Sequence, residues 1–263
     1  MIEVRDLVKT FGGLRAVDQA SFSVEAGKIF GFLGPNGAGK TTTIKMLTTI
    51  LRPSAGTILI DGHDPAADPL EVRRSFGIVF QDPSIDDELT AIENMELHGV
   101  LYGLPSAVRR ERVEKLLKFV ELWDRRDDAV IQFSGGMTRR LEIARALLHE
   151  PKIIFLDEPT AGLDPQTRNK MWTFIKEMSR ERGTTVFFTT HYMEEAERVA
   201  DEVAVIDHGK IIASGTPAQI MAGSGGKTLE EAFIELTGRA IRAEEASAAD
   251  SMRQQRRLWG KRR

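Results

Sequence analysis

Residues 34–41 read Gly34-Pro35-Asn36-Gly37-Ala38-Gly39-Lys40-Thr41, followed by Thr42. The run fits G-x-x-x-x-G-K-[ST], a loop whose backbone amides cradle phosphates. Ahead of it, Ile29-Phe30-Gly31-Phe32-Leu33 is apolar enough for a buried parallel strand. Behind it, Thr42-Thr43-Ile44-Lys45-Met46-Leu47 reads as the start of a helix. Strand, glycine loop and helix N-terminus in that order aim N–H groups and the positive helix end at one place. Lys40 adds a full positive charge there, and the Thr41 hydroxyl can ligate Mg²⁺ between the phosphates. The expected ligand is a nucleoside triphosphate, held by an α/β core.

The composition narrows the setting. At 263 residues the chain can bury one large core without splitting into domains. A net charge of −3 gives no electrostatic footprint for nucleic acid, and none is expected as a partner. The absence of cysteine excludes disulfides, thiolate metal sites and cysteine nucleophiles. Residues 1–6 carry no secretory signal pattern, and no apolar run approaches the roughly 20 residues that span a bilayer. A soluble chain, or one peripheral to a membrane partner, is expected.

Short β-type runs dominate to about residue 80, at 20–24, 57–60 and 77–80, with Asp61-Gly62 as a hairpin turn. The pattern then becomes helical, with Val108, Val113, Leu116, Leu117, Val120 and Leu122 mostly three or four residues apart. Apolar strands return at 153–156 and 186–188, and a last hairpin joins 203–206 to 210–214 through Asp207-His208-Gly209. This layout predicts a nucleotide-binding α/β domain over 1–222, with a helical subdomain at about 85–150, and a C-terminal extension over 223–263. Residues 223–226 read as a flexible linker, and Leu229, Phe233 and Leu236 as one face of a short docking helix. The stretch 251–263 holds six basic residues and no acidic one, with Leu258 and Trp259 among them. It would suit contact with an anionic membrane surface, although a solvated tail is the plainer reading.

Two further stretches carry chemistry. Ile153-Ile154-Phe155-Leu156-Asp157-Glu158 is a buried strand ending in two carboxylates, where a parallel strand meets its ligand crevice. Asp157 is placed to hold a Mg²⁺ hydration shell and Glu158 to polarise a water in line with the γ-phosphate. The pair could instead cap the helix after Pro159. Phe133-Ser134-Gly135-Gly136-Met137 opens an amphipathic helix with Met137, Leu141, Ala144 and Leu148 on one face. Ser134 as an N-cap before two glycines makes a second anion site, or, taken alone, an ordinary cap and turn.

Residues 34–41, Gln81, 133–137, 153–158, Ala161-Gly162-Leu163-Asp164 and His191 follow one another as in the ATP-binding cassette (ABC) ATPases. The chain resembles that family over about residues 2–220. The resemblance implies an α/β fold with a RecA-like P-loop core, an antiparallel β subdomain and an inserted helical subdomain. It implies a head-to-tail dimer over two ATP molecules, in which Ser134, Gly135 and Gly136 of one subunit reach the γ-phosphate on the P-loop of the other. Such a two-fold arrangement uses both anion sites at once. By position, Gln81 resembles the residue that senses Mg²⁺ and the attacking water, Asp164 one that crosses the dimer interface, and His191 the switch histidine that orients Glu158. Phe11 stands where the family often has a stacking Tyr. Stacking on adenine would be worth roughly 1–3 kcal/mol, and core packing is the alternative for Phe11.

Phe133 replaces the family's usual Leu, and Met137 its common Gln, without touching the Ser134-Gly135-Gly136 contact. Met137 with Thr138-Arg139-Arg140-Leu141-Glu142, and Leu229-Glu230-Glu231-Ala232-Phe233, resemble a narrower branch: ATPases of daunorubicin-resistance type exporters of drugs, lipids and polysaccharides. That branch implies a motor subunit on the cytoplasmic side of the cell membrane, using ATP and Mg²⁺, with a separate integral-membrane permease and a second copy of itself or a related ATPase. An importer ATPase and a non-transport ABC ATPase are the alternatives.

Overall fold

The computed structural model describes residues 1–237; the basic stretch 251–263 lies outside them. The chain opens with a hairpin, β1 (Ile2–Phe11) and β2 (Leu14–Val24), then passes through β3 (Ile29–Leu33) into α1 (Lys40–Leu47). β4 (Ala55–Ile60), α2 (Pro69–Ser75) and β5 (Phe76–Val79) follow, then three helices, α3 (Ala91–Leu101), α4 (Ser106–Phe119) and α5 (Gly135–Ala146). Next come β6 (Ile153–Asp157), α6 (Pro165–Arg182), β7 (Thr185–Thr190) and α7 (Met193–Val199). The chain continues through β8 (Glu202–Asp207), β9 (Lys210–Gly215), α8 (Pro217–Ser224) and α9 (Leu229–Thr237).

These strands make two sheets. One is antiparallel, in the order β2-β1-β4. The other runs β5-β6-β7-β3-β8-β9, parallel throughout except for β9 on its edge. Its central strands are wholly buried, which is why they are apolar in a continuous run rather than in alternation. Along β3 the period of two still sorts the side chains. Phe30 and Phe32 enter the core between the sheets, with Phe22, Phe155 and Phe187, while Ile29 and Leu33 join the core under the helices. Between them Gly31 leaves room for Phe188 and Val203, each 3.1 Å from where a Cβ would stand.

The sheet register positions the site. Leu33 pairs with Thr190, and Asp157 with Thr189. The segments that leave the carboxyl ends of β3, β6 and β7 therefore emerge side by side, in the crevice where α/β sheets bind ligands. The α3–α5 helices pack through Met95, Val113, Leu116, Leu117 and Leu141 against one another and the sheet. α3 is closed by a reciprocal cap between Thr90 and Glu93.

Two expectations change. Asp61-Gly62 does form a tight turn, with φ of 50° and 84°, but it closes on a single bridge from Ile60 to His63 rather than a second strand. Residues 223–226 are not a flexible linker. Thr216 and Gln219 cap α8 reciprocally, the helix runs to Ser224, and Gly225 at φ 75° ends it as a left-handed cap. α9 then folds back onto the body, burying Leu229, Ala232 and Phe233, while Leu236 stays exposed.

Candidate nucleotide site

Gly37 (φ 81°) and Gly39 (φ 113°) bend the chain after β3 into left-handed conformations that L side chains resist. A Cβ on Gly34 would stand 2.2 Å from the Ile206 carbonyl oxygen, and one on Gly39 would stand 2.5 Å from that of Ala16. The loop is thus pressed between β8 and β2, and the Gly209 amide donates to the Ala38 oxygen at 2.9 Å. It curls into a cavity lined by Pro35, Asn36, Gly37, Gly39, Lys40, Thr41 and Thr42, together with Ala16, Gln81 and Glu158.

The buried Lys40 ammonium donates to the carbonyls of Gly34 (2.8 Å) and Pro35 (3.3 Å) and stands 3.1 Å from Glu158 Oε1. The second Glu158 oxygen is 2.9 Å from His191 Nδ1. Burial pushes the Glu158 carboxyl up, but the His191 hydrogen bond and the Lys40 charge outweigh it and hold the carboxyl below its ordinary range. Glu158 is therefore an anion at neutral pH. Its backbone has φ 50°, unusual for a residue other than glycine. Thr189 fixes that bend, receiving the Glu158 amide on its carbonyl (3.2 Å) and on its hydroxyl oxygen (3.0 Å).

Asp157 takes the Thr189 hydroxyl at 2.6 Å and the Thr41 hydroxyl at 3.4 Å. Burial raises its carboxyl, and those two hydroxyls oppose the rise. Thr41 and Gln81 line the cavity, and Asp157 stands behind the Thr41 hydroxyl, so a hydroxyl, an amide and a carboxylate belong to the site and its wall. Such oxygen donors suit Mg²⁺, which keeps waters and substrate phosphates and asks few ligands of the protein. Among the described residues no group of three His, Cys, Asp or Glu side chains could hold a metal by itself.

Other predicted site residues stand apart from the cavity. Ser134 caps α5, accepting the Met137 amide at 3.3 Å, and it and Gly135 are exposed. Asp164 caps α6, accepting from the amides of Gln166 and Thr167, both at 3.0 Å, and the Thr167 hydroxyl at 2.6 Å. The Thr167 hydroxyl and amide hold its carboxyl below the usual value. Phe11 is 45% exposed at the end of β1, which rules out core packing, and Lys9 Nζ lies 5.1 Å from its ring centre. It does not line the cavity, whereas Ala16 on β2 does.

Sequence reasoning missed Ala16 and Thr189, and it missed how Gln81 is held. Arg139 of α5 donates to the carbonyls of Phe80 (2.6 Å) and Gln81 (2.9 Å) and pairs with Glu142 at 2.9 Å; Glu142 in turn receives the Ser84 amide. Nothing in a lone Thr or an Arg-x-x-Glu spacing announces these contacts. Strand register and helix placement reveal them.

A phosphate loop on a parallel sheet, facing an aspartate–glutamate pair and a histidine, defines a P-loop nucleoside triphosphatase. The ABC transporter family model matches residues 17–161. The chain belongs to that family, and it is an ATP-binding cassette ATPase. It is 45% identical to the daunorubicin/doxorubicin resistance ATP-binding protein DrrA of Streptomyces peucetius, over 91% of this chain and 72% of that one. It is 39% identical to the linearmycin resistance ATP-binding protein LnrL of Bacillus subtilis (strain 168), over 90% of this chain and 75% of that one. Among solved structures, an ATP-binding subunit of an ABC transporter superposes with a TM-score of 0.81 at 33% identity, covering 90% of this chain and 99% of that chain. The dimeric cassette MJ0796 bound to ADP and Pi gives a TM-score of 0.73 at 29% identity, covering 82% and 98%. Among the described residues no helix is long and apolar enough to cross a membrane.

Proposed function

We propose that this chain is the ATP-hydrolysing motor of an exporter, working on the cytoplasmic face of the cell membrane with a separate integral-membrane permease. The observation that carries it is the Lys40–Glu158–His191 line at the carboxyl edge of the sheet. Export is supported by the resistance proteins it resembles. In this reading Lys40 and the amides of residues 37–42 hold the phosphates, and Phe11 stacks on the base. Glu158, kept ionised, accepts a proton from the attacking water, with His191 fixing its orientation. Thr41, Asp157 and Gln81 would hold Mg²⁺, which supplies charge neutralisation on the phosphates. Ser134, Gly135, Gly136 and Asp164 act on the nucleotide of a second subunit, either another copy or a related ATPase. ATP favours the closed dimer through contacts that only a γ-phosphate can complete, so hydrolysis reopens it.

Glu158→Gln tests the reading. The purified variant should bind ATP, turn over at less than about 1% of the parent rate and accumulate as a dimer in size-exclusion chromatography with ATP. The same tagged chain, captured from solubilised native membranes, should bring down a polytopic permease without a solute-binding protein. Near-normal turnover would remove Glu158 from the chemistry, and capture of a solute-binding protein would point to import.

A further inference from the structure

Glu195 on α7 does not line the nucleotide cavity, yet it is only 4% exposed. A buried carboxylate is costly unless it is paired, and an apolar side chain would fill the same volume without that cost. Here the carboxylate gathers two hydroxyl donors and a guanidinium charge from three separate segments. The Thr160 hydroxyl donates to Oε1 at 2.7 Å and reaches Oε2 at 3.0 Å. The Thr190 hydroxyl donates to Oε2 at 3.1 Å, and Arg168 Nε lies 3.3 Å from Oε1. Thr160 follows Glu158 by two residues, Thr190 immediately precedes His191, and Arg168 stands early in α6, the helix capped by Asp164.

Thr190 and Arg168 are also held from the far side. Thr190 Oγ1 accepts the Tyr192 amide at 3.0 Å, so one hydroxyl pins the backbone on both sides of His191. The Arg168 guanidinium lies 4.1 Å from the centre of the Tyr192 ring, and that ring stands 4.0 Å from the imidazole of His191. Arg168 also reaches the Leu163 carbonyl at 3.4 Å, next to Asp164. A shift of the histidine segment relative to the Glu158 or Asp164 segment would break bonds to the same carboxylate.

We propose that Glu195 is a positioning residue for hydrolysis, locking the segment that presents His191 to those that present Glu158 and Asp164. This rests on the reading that Glu158 and His191 serve the γ-phosphate. Hydrolysis depends on sub-ångström placement of such groups, whereas binding of ADP, which has no γ-phosphate, does not call on His191.

The test uses the purified full chain. Glu195→Gln keeps the shape but replaces one acceptor oxygen with an amide nitrogen that cannot receive a hydroxyl proton. Thr190→Val removes one hydroxyl of the set. In each variant kcat should fall roughly tenfold or more while ADP affinity stays within about twofold, and any fall in melting temperature should leave the chain folded at the assay temperature. Combining the two should cost little more than the worse single change, because both break one unit. Turnover within about twofold of the parent in both variants overturns the proposal. So does a loss of kcat matched by an equal loss of ADP affinity, which marks a general structural role. If Glu195→Gln does not fold, Thr190→Val decides by the same readings. Glu158→Gln separates the two claims. Turnover by that variant sinks the reading of the site, whereas its inactivity beside normal Glu195→Gln and Thr190→Val variants sinks the role of Glu195 alone.

Discussion

At the scale of single residues, the phosphate loop is governed by backbone approach. Gly39 combines φ 113° with a Cβ position 2.5 Å from the Ala16 carbonyl oxygen, a neighbour that cannot rotate away. Gly37 has φ 81° but open space around it. Gly37→Ala should therefore cost about 1–2 kcal/mol of backbone strain and weaken ATP binding less than the same change at Gly39. Gly39→Ala adds a backbone clash, pushes the loop away from β2 and should abolish ATP binding as well as lowering the melting temperature further. Calorimetric titration of both variants with ATP checks this, and equal loss in the two would show that strain rather than contact decides. Glu158 makes the complementary point, because it holds a left-handed backbone with a full side chain. The cost is met by the two Thr189 bonds and by the Lys40 and His191 partners.

At the scale of elements, α5 is both a capped helix and the anchor of the Gln81 segment. Arg139 and Glu142 are 6% and 1% exposed, and between them they hold Phe80, Gln81 and Ser84 by the backbone. Burial pulls the Arg139 guanidinium down and the Glu142 carboxyl up, and their mutual attraction opposes both shifts. Arg139→Met leaves Glu142 buried without its cation and should destabilise the chain by about 3–5 kcal/mol. Arg139→Met with Glu142→Leu should recover part of that loss, as denaturant unfolding would measure. A double variant as unstable as the single would place the loss in the carbonyls of Phe80 and Gln81 instead. These elements also show what the amino-acid sequence makes legible. The apolar run Ile29–Leu33, the glycines and the strand ending in Asp157 each declare themselves locally, because burial, φ and period are local demands. The Thr189, Ala16 and Arg139 contacts depend on parallel register and on a helix crossing a loop 58 residues away, which no short pattern encodes. The error at residues 223–226 has the same origin. Gly223, Gly225 and Gly226 suggest a linker by composition, yet capping by Thr216 and packing by Leu229 and Phe233 impose order.

At the scale of the whole molecule, the P-loop and the cap of α5 lie in different places. The P-loop cavity collects Lys40, Thr41, Gln81 and Glu158, while exposed Ser134 and Gly135 open α5 outside that cavity. If each nucleotide lies between one chain's P-loop and another's α5, a variant lacking either element ruins both sites of its own homodimer. A mixed pair does not share that fate. Lys40→Ala and Ser134→Arg should each be inactive alone. Their heterodimer contains one site with both lesions and one with neither. An equal mixture, allowed to exchange subunits, should then recover roughly a quarter of the parent ATPase rate, since half the dimers carry one intact site of two. Recovery must depend on mixing and must vanish when Ser134→Arg is combined with Lys40→Ala in one chain. A mixture that stays inactive while native mass spectrometry shows heterodimers would mean that the partner's Ser134 does not complete the site, whereas a Ser134→Arg homodimer that hydrolyses at the parent rate would leave the exposed cap of α5 to the helix alone.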